Sequence, residues 1–248
     1  MINVEVAAQL LDFGASIGPG RRANEQLEGA VAIHNILEKQ NVAYLADEVG
    51  MGKTYVALGA MALFRHFNPE FRVLVVAPRE NIQTKWMKEF GNFCANNVRF
   101  ADLRVKSIRG GPARPMVPCG NLRSFVHEVG VDPRRDFFLR MTSFSMGLSA
   151  DKENWKEQRQ GLRRELPWLA DAVFDLRSKE VFKDNYARAV CCALPTFDLV
   201  IVDEGHNLKH GFREGVAARN RMLALAMGRD GNADPELFPG YGRRARRV

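Results

Sequence analysis

The feature that most constrains this chain is a glycine-rich turn at residues 45–54, where the sequence reads LADEVGMGKT. An apolar run leads into the turn and a helix-forming run follows it, which is the context that a phosphate-binding loop requires. Gly50 and Gly52 would let backbone amides turn inward around an anion, and the helix would direct its positive dipole end at the same anion. We therefore predict that Lys53 contacts the terminal phosphates of a nucleotide and that Thr54 holds Mg²⁺ through its hydroxyl.

The match to the usual phosphate-loop pattern, G-x-x-x-x-G-K-[ST], is partial because Asp47 occupies the position of the first glycine. The alternative is a chance turn between a strand and a helix that binds no ligand. The strand predicted at residues 41–46 and the helix after the turn favour the phosphate loop. We assign the backbone contacts with the phosphates to four residues of the turn: Val49, Gly50, Met51 and Gly52.

A second motif lies at residues 197–206, where FDLVIVDEGH reads as a hydrophobic strand that ends in two carboxylates. Hydrolysis of ATP requires a metal ion opposite the phosphate loop and a group that orients the attacking water. Asp203 suits the metal ion, through the water shell that Mg²⁺ is reluctant to lose, and Glu204 suits the water as a polarising base. Both acids follow a strand at the edge where open α/β sheets bind ligands. The alternative is that they cap a helix that begins at Asn207.

Neither the histidines nor the cysteines show the spacing of a metal site. His206 and His210 could share one face of a helix, but Asn207 stands where a zinc protease would have glutamate, and a third ligand is missing. The four cysteines show no C-x-x-C spacing, so we expect no zinc site and no disulfide framework. We expect the adjacent Cys191 and Cys192 to pack as small apolar side chains.

Composition and charge leave the class of partner open. The chain is 46% hydrophobic and 26% charged, as in ordinary globular proteins. Its net charge of +7 includes four arginines in the last six residues, and without them 32 basic side chains face 29 acidic ones, which is weak support for a nucleic-acid partner. The first residues do not read as a signal peptide, and no apolar stretch is long enough to span a bilayer. Because the cysteines also suggest a reducing compartment, we expect a cytoplasmic protein.

Alternating strand-like and helix-like segments predict an α/β fold with a doubly wound, mainly parallel sheet. Residues 71–78 are apolar almost throughout, as in strands buried on both faces of such a sheet. Further strands are predicted at residues 41–46, 103–108, 137–142 and 197–202, and a loop at residues 109–120. The charged residues 151–190 are predicted to form an insertion of two helices. Residues 1–40 are predicted as helices that lead into the main domain at 41–248.

The two motifs together resemble those of the first motor domain of superfamily-two helicases, and in particular of the Swi/Snf-type DNA translocases. In that group the loop has the form D-E-x-G-x-G-K-T, which residues 47–54 match at every fixed position, including Asp47. Residues 203–206 resemble the DEAH box of the family, with Gly205 in place of alanine. The resemblance covers about residues 26–207. It implies a RecA-like fold, ATP and Mg²⁺ as cofactors, and ATP hydrolysis coupled to movement on nucleic acid.

The resemblance also implies contacts with adenine and with nucleic acid. Gln26 is similar to the glutamine that reads adenine in the family, and the alternative is a solvated residue at the start of a helix. Pro78 and Arg79 resemble a motif that touches the nucleic-acid backbone, where amides at a helix start can bind phosphate, and the alternative is an exposed charged face. Thr142 and Ser143 resemble a second contact of this kind.

In this superfamily a second RecA-like domain closes over the nucleotide. No such domain follows the acidic motif here, so we expect the chain to need a second RecA-like domain or a partner subunit, and to hydrolyse ATP poorly alone. The next strand of the family lies between the phosphate-loop strand and the acidic strand, and residues 246–248 are predicted to begin it. Three functions remain open: an ATP-dependent motor on DNA, or alternatively RNA; a nucleotide-binding regulatory subunit without motor activity; and a nucleic-acid-binding module with an inactive nucleotide site.

Overall fold

The structure is a computed structural model of the chain, and it describes residues 1–46, 52–146, 152–174, 178–208, 211, 218–229 and 233–248. The strands are β1 (Val73–Ala77), β2 (Met116–Cys119), β3 (Asp136–Arg140) and β4 (Leu199–Val202). The α-helices are α1 (Val4–Leu10), α2 (Gly14–Ile17), α3 (Arg21–Gln40), α4 (Lys53–Phe67), α5 (Glu80–Asn96), α6 (Leu122–Val131), α7 (Lys152–Glu165), α8 (Lys179–Ala193) and α9 (Ala218–Ala226). Short 3₁₀ helices cover Met141–Ser145, Asp171–Phe174 and Gly205–Leu208.

A parallel sheet in the order β2-β3-β1-β4 forms the centre of the fold. All five residues of β1 are buried, as its continuous apolar sequence predicts. Leu74 and Val76 pack into one core with α6, α8 and α9, whereas Val73 and Val75 pack into a second core with α3, α4 and α5. Helices therefore cover both faces of the sheet, and the predicted α/β, doubly wound, RecA-like fold is confirmed.

Helices α3 and α4 pack closely, and this packing places the start of α3 beside the start of α4. At Gly59 in α4, an added Cβ would lie 2.8 Å from the Cβ of Ala30 in α3 and 2.8 Å from a ring carbon of Phe13. Only glycine fits at this crossing without displacing a neighbour. Most of α4 is buried, as its nearly all-round apolar sequence predicts.

The two helices predicted within residues 151–190 are α7 and α8. Trp155 of α7 stacks on Phe182 of α8, with ring centroids 6.3 Å apart, and both side chains belong to the core under β2 and β3. The insertion therefore contributes one covering layer of the sheet. The division into residues 1–40 and 41–248 stays a proposal.

Residues 244–248 lie between β4 and the residues that precede the glycine-rich turn. Backbone hydrogen bonds join this segment to both neighbours: Arg244 and Arg246 to Phe197 at 2.7 and 2.9 Å, and Val248 to Asn41 and Ala43 at 2.9 and 3.0 Å. The predicted position of residues 246–248, between the phosphate-loop run and the acidic strand, is confirmed.

Two predicted strands are wrong. Residues 41–46 form no regular strand, because among the described residues only Val248 pairs with this run. Residues 103–108 form turns and one isolated bridge between Lys106 and Pro112, and the side chains of Leu103 and Ile108 are 61% and 91% exposed. Burial on a sheet would have been needed to stabilise a strand there, and β2 is instead the last strand on one side of the sheet among the described strands.

The loop predicted at residues 109–120 contains strand β2, so that prediction is wrong for its last part. Its prolines and glycines suggested a loop, and Pro118 lies within the strand. A proline can occupy a strand whose amide side faces away from the ladder, which is the case at a sheet edge. The strand order makes β2 an edge strand among the described strands.

No helix in the described ranges combines the length and the apolar character that crossing a membrane would require.

Candidate functional site

Lys53 and Thr54 are the first two residues of α4, immediately after the glycine-rich turn. Gly52 precedes the helix with φ +84°, a left-handed backbone conformation that glycine adopts without a steric penalty. The positive dipole end of α4 therefore lies at this turn. The local geometry is that of an anion site with a lysine and a hydroxyl beside it.

Gln26 lies against the same turn. It is a buried residue of α3, and its side-chain amide is so close to Gly52 that a Cβ there would lie 2.1 Å from Nε2. The sequence placed Gln26 at a helix start and left open whether it is solvated. Its burial against the turn is not the exposed position that the solvated alternative requires, and the assignment to adenine remains a proposal.

A Gly52→Ala substitution is expected to weaken both folding and nucleotide binding. The left-handed backbone costs a non-glycine residue about 1–2 kcal/mol, and the new methyl group would displace Gln26. The urea midpoint and the dissociation constant of a fluorescent ATP analogue would measure the two effects. Gly91→Ala is the matched control, because nothing lies within 4 Å of a Cβ at this helical glycine. Equal midpoints and affinities in the Gly52→Ala and wild-type proteins would contradict the expectation.

Asp203 and Glu204 follow β4 at its carboxyl end. The carboxylate of Asp203 accepts two hydrogen bonds, from the indole Nε1 of Trp86 at 2.9 Å and from the backbone amide of Glu204 at 2.9 Å. Glu204 has φ +55°, an uncommon conformation for a non-glycine residue that tends to occur at functional sites. Its carboxylate lies 3.0 Å from Nδ1 of His206, and both side chains are more than half exposed.

The two motifs line one cavity. Lys53, Thr54, Asp203 and Glu204 all contribute to a space of about 380 Å³ between the run at residues 42–45 and β4. This volume lies within the range of roughly 300–1,000 Å³ that small-molecule sites occupy. Apolar side chains, among them Val248, line the cavity together with the polar and charged side chains of the two motifs. A nucleotide with Mg²⁺ fits the chemistry of this lining, because an amine, a hydroxyl and two carboxylates border one space.

Part of the predicted site lies outside the described residues. This applies to Asp47, Glu48, Val49, Gly50 and Met51 of the turn. His210 is also outside them, so the histidine pair is not described as a pair. Among the residues that the structure does describe, no group of three or more His, Cys, Asp or Glu side chains could hold a metal ion by itself.

The predicted nucleic-acid contacts lie at the same edge of the sheet. Pro78 and Arg79 follow β1, and Thr142 and Ser143 follow β3, which is parallel to β1 and adjacent to it. Arg79 and Thr142 are exposed, whereas Pro78 and Ser143 are half-buried. The structure therefore brings the four residues to one edge, and their contact with nucleic acid remains a proposal.

Sequence reasoning missed the side chains that connect the elements at this edge. Arg140, the last residue of β3, donates to Gln83 at 2.9 Å and forms an ion pair with Glu80 at 3.0 Å. Gln83 in turn donates to the carbonyl of Phe138 at 2.9 Å. These bonds fix the start of α5 against β3. Nothing local in the sequence marks the partners, although the position of Arg140 at a strand end could have drawn attention to it.

The cysteines are inert side chains of the core. Burial raises the pKa of Cys94, Cys119 and Cys192 to about 12, and burial also raises the pKa of Cys191. The reactive thiolate is therefore scarce at neutral pH. Cys191 is buried and Cys192 packs against the same core, so the prediction that this pair packs as small apolar side chains is confirmed.

Comparison with known proteins relates the chain to helicases. Residues 21–115 match the family model described as type III restriction enzyme, res subunit, a stretch that contains Gln26, Lys53 and Trp86. The chain is also similar to the ATP-dependent helicase fft1 of Schizosaccharomyces pombe, with 25% identity over 170 residues, which is 68% of this chain and 12% of that protein. The chain thus spans about an eighth of the length of the relative. No solved structure matches it.

The family match and the fold agree with each other. The matched residues include the start of α4 with Lys53, and the sheet is parallel throughout its described strands with helices on both faces. The family match, the similarity to a helicase and the parallel α/β sheet together support a superfamily-two helicase-like motor domain.

Proposed function

We propose that this chain binds ATP with Mg²⁺ and hydrolyses it to drive movement on nucleic acid, with DNA as the partner. The observation that carries the proposal is the shared cavity, which Lys53, Thr54, Asp203 and Glu204 all line. Helicase-type, ATP-dependent motors are the class to which the comparisons relate the chain. ATP hydrolysis requires a phosphate cradle, an acid beside the metal ion and a base for water, and the residue types that line the cavity suit the last two of these roles.

Each side chain of the cavity has a distinct role in this proposal. Lys53 contacts the terminal phosphates and Thr54 holds the metal ion through its hydroxyl. Asp203 accepts hydrogen bonds from water bound to the metal, and Glu204 accepts a proton from the attacking water. Gln26 recognises adenine from the side of α3. Mg²⁺, when bound, offsets the charge that develops on the phosphate oxygens.

Backbone amides of the turn supply the remaining phosphate contacts. The proposal gives this role to Val49, Gly50, Met51 and Gly52, on the basis of the sequence motif. The Gly52 conformation supports it, because the left-handed φ orients the backbone at the start of α4. Gln26, packed against Gly52, would hold that backbone in place.

Nucleic acid binds along the sheet edge in this proposal. Arg79 and Thr142 are exposed and follow the adjacent strands β1 and β3, so they would contact backbone phosphates. The half-buried Pro78 and Ser143 would lie next to the bound strand. The printed description of the relative as a helicase supports a nucleic-acid partner. RNA in place of DNA is the alternative outcome of the experiment below.

Efficient hydrolysis requires a further charged group in this proposal. An arginine that stabilises the transition state contributes about 10³–10⁵ to the rate in related ATPases and GTPases. None of the described residues that line the cavity is an arginine. We therefore propose that a second RecA-like domain or a partner subunit supplies it, and that hydrolysis by this chain alone is slow. A steady-state rate alone that equals its rate with a second RecA-like domain would contradict this part of the proposal.

Lys53→Ala is expected to weaken ATP binding about ten- to a hundredfold, because it removes a hydrogen bond between charged groups worth about 1.5–3 kcal/mol. Titration of a fluorescent ATP analogue in Mg²⁺ measures the loss. Lys39→Ala, at an exposed lysine in the last turn of α3, is the control and should bind normally. Hydrolysis measured with a second RecA-like domain supplied in trans, and with single-stranded DNA, duplex DNA or RNA, identifies the partner. Normal ATP affinity in Lys53→Ala would contradict the proposed site, and hydrolysis that no nucleic acid stimulates would favour a regulatory subunit.

A further inference from the structure

The indole of Trp86 makes a direct hydrogen bond to the acid that the proposed function places beside the metal ion. Nε1 donates to Oδ2 of Asp203 at 2.9 Å, and the other carboxylate oxygen, Oδ1, accepts from the backbone amide of Glu204 at 2.9 Å. Two donors, one for each oxygen, determine the plane of the carboxylate. The backbone of Asp203 is also held, since its amide donates to the carbonyl of Val76 in β1 at 2.9 Å.

The donor is itself immobilised. Trp86 is only 4% exposed and lies in α5, and its ring packs edge-on against Phe138 of β3 with centroids 6.1 Å apart. The same indole lines the cavity that contains Lys53. A packed aromatic side chain on a helix fixes the position of its hydrogen-bond donor better than a flexible surface side chain would.

We propose that Trp86 is a positioning residue that orients the carboxylate of Asp203 for the hydrated metal ion. The inference rests on the proposed function. It adds a side chain that acts on the metal site through Asp203. Metal-binding groups of proteins are generally oriented by such second contacts, and loss of one typically costs about 10–100-fold in metal affinity or activity.

The position of Trp86 on α5 would also couple movement of this helix to the carboxylate of Asp203. Helix α5 begins at Glu80, directly after the proposed nucleic-acid contact at Arg79, and Trp86 lies less than two turns further along the same helix. A shift of α5 would move the indole and thereby the carboxylate. Rotation of the Asp203 carboxylate would leave the contacts of Lys53 with the phosphates unchanged, so the metal dependence should respond more than nucleotide binding without metal.

The test compares Trp86→Phe with wild type in titrations of Mg²⁺. Phenylalanine keeps the aromatic contact with Phe138 and removes the Nε1 donor. We expect the Mg²⁺ concentration for half-maximal binding of a fluorescent ATP analogue to rise about tenfold, in line with the lower end of second-contact effects, while binding in EDTA stays within twofold of wild type. Trp155→Phe is the matched control, because Trp155 is a buried tryptophan in α7 away from the cavity lining, and its Mg²⁺ dependence should not change.

A second measurement tests the inference even if the Trp86→Phe protein does not fold. In a Trp155→Phe/Trp168→Phe protein, Trp86 is the sole tryptophan, and its emission should change when Asp203→Asn alters the hydrogen-bond acceptor. An unchanged Mg²⁺ dependence in folded Trp86→Phe, or an emission spectrum insensitive to Asp203→Asn, would overturn the inference while Lys53→Ala still weakened ATP binding. Normal ATP binding by Lys53→Ala would instead contradict the proposed function itself.

Discussion

Glu204→Gln is expected to lower ATP hydrolysis at least about 100-fold while ATP binding changes less than threefold. A positioned general base contributes about 10²–10⁴ to a rate, and glutamine cannot accept the proton of the attacking water. The substitution preserves side-chain size. It also leaves the conformational energy of the backbone unchanged, because both residue types carry a Cβ and are equally disfavoured at φ +55°. The change therefore isolates the carboxylate from the fold.

Single-turnover hydrolysis with excess protein, saturating Mg²⁺ and nucleic acid present measures this effect even when the basal rate is low. The dissociation constant of a fluorescent ATP analogue provides the comparison. Glu157→Gln is the control, since Glu157 is an exposed residue of α7 outside the cavity lining. A Glu204→Gln rate within threefold of wild type would assign the base to another group and would leave Glu204 as a residue that pairs with His206.

The parts of the fold that could be read from the sequence are those with a strong local pattern. Strands β1 and β4 are continuous apolar runs, because their residues face helices or the cavity rather than bulk water. Helix α4 could be predicted because its long apolar sequence is likewise buried. Strand β2 was not, since an edge strand tolerates Pro118 and carries the residue types of a loop.

The strand predicted at residues 41–46 was wrong for a different reason. Its apolar sequence is suited to a strand, but a strand needs a neighbour, and only Val248 pairs with it among the described residues. In the candidate site, the sequence motifs predicted roles for Lys53, Thr54, Asp203 and Glu204, and these four residues line one cavity. They did not identify the partner of Asp203, because Trp86 lies 117 positions away and only the tertiary fold brings the two together.

The second large effect is expected at the opposite, amino end of the sheet, where Arg65 and Asp136 form a buried ion pair. The guanidinium Nη2 lies 2.6 Å from Oδ2, and the two side chains are 1% and 0% exposed. Oδ1 accepts from the backbone amide of Val73 at 3.0 Å, and Nη2 also donates to the carbonyl of Phe71. The pair thus connects α4, which carries Lys53, to the starts of β1 and β3.

Asp136→Asn should cost about 3–5 kcal/mol of unfolding free energy, because it leaves the charge of Arg65 buried without its counter-charge. Asparagine still offers an oxygen to Val73, so the loss reports the charge rather than the strand contact. Nε and Nη1 of Arg65 have no hydrogen-bond partner among the described residues, which leaves little to compensate. The cost is a large fraction of the roughly 5–15 kcal/mol that stabilises a typical domain.

The double variant Arg65→Met/Asp136→Asn separates this cause from a general loss of packing. Removing both charges relieves the penalty, so the double variant should be more stable than Asp136→Asn alone, and its loss should be smaller than the sum of the two single losses. Urea midpoints at an unchanged slope measure the differences. Lys85→Met, at an exposed lysine paired with Glu89, is the control and should leave the midpoint unchanged, since exposed pairs contribute little. Additive losses in the double variant would show that the two side chains stabilise the fold independently, and the ion pair would then not be what connects α4 to the sheet.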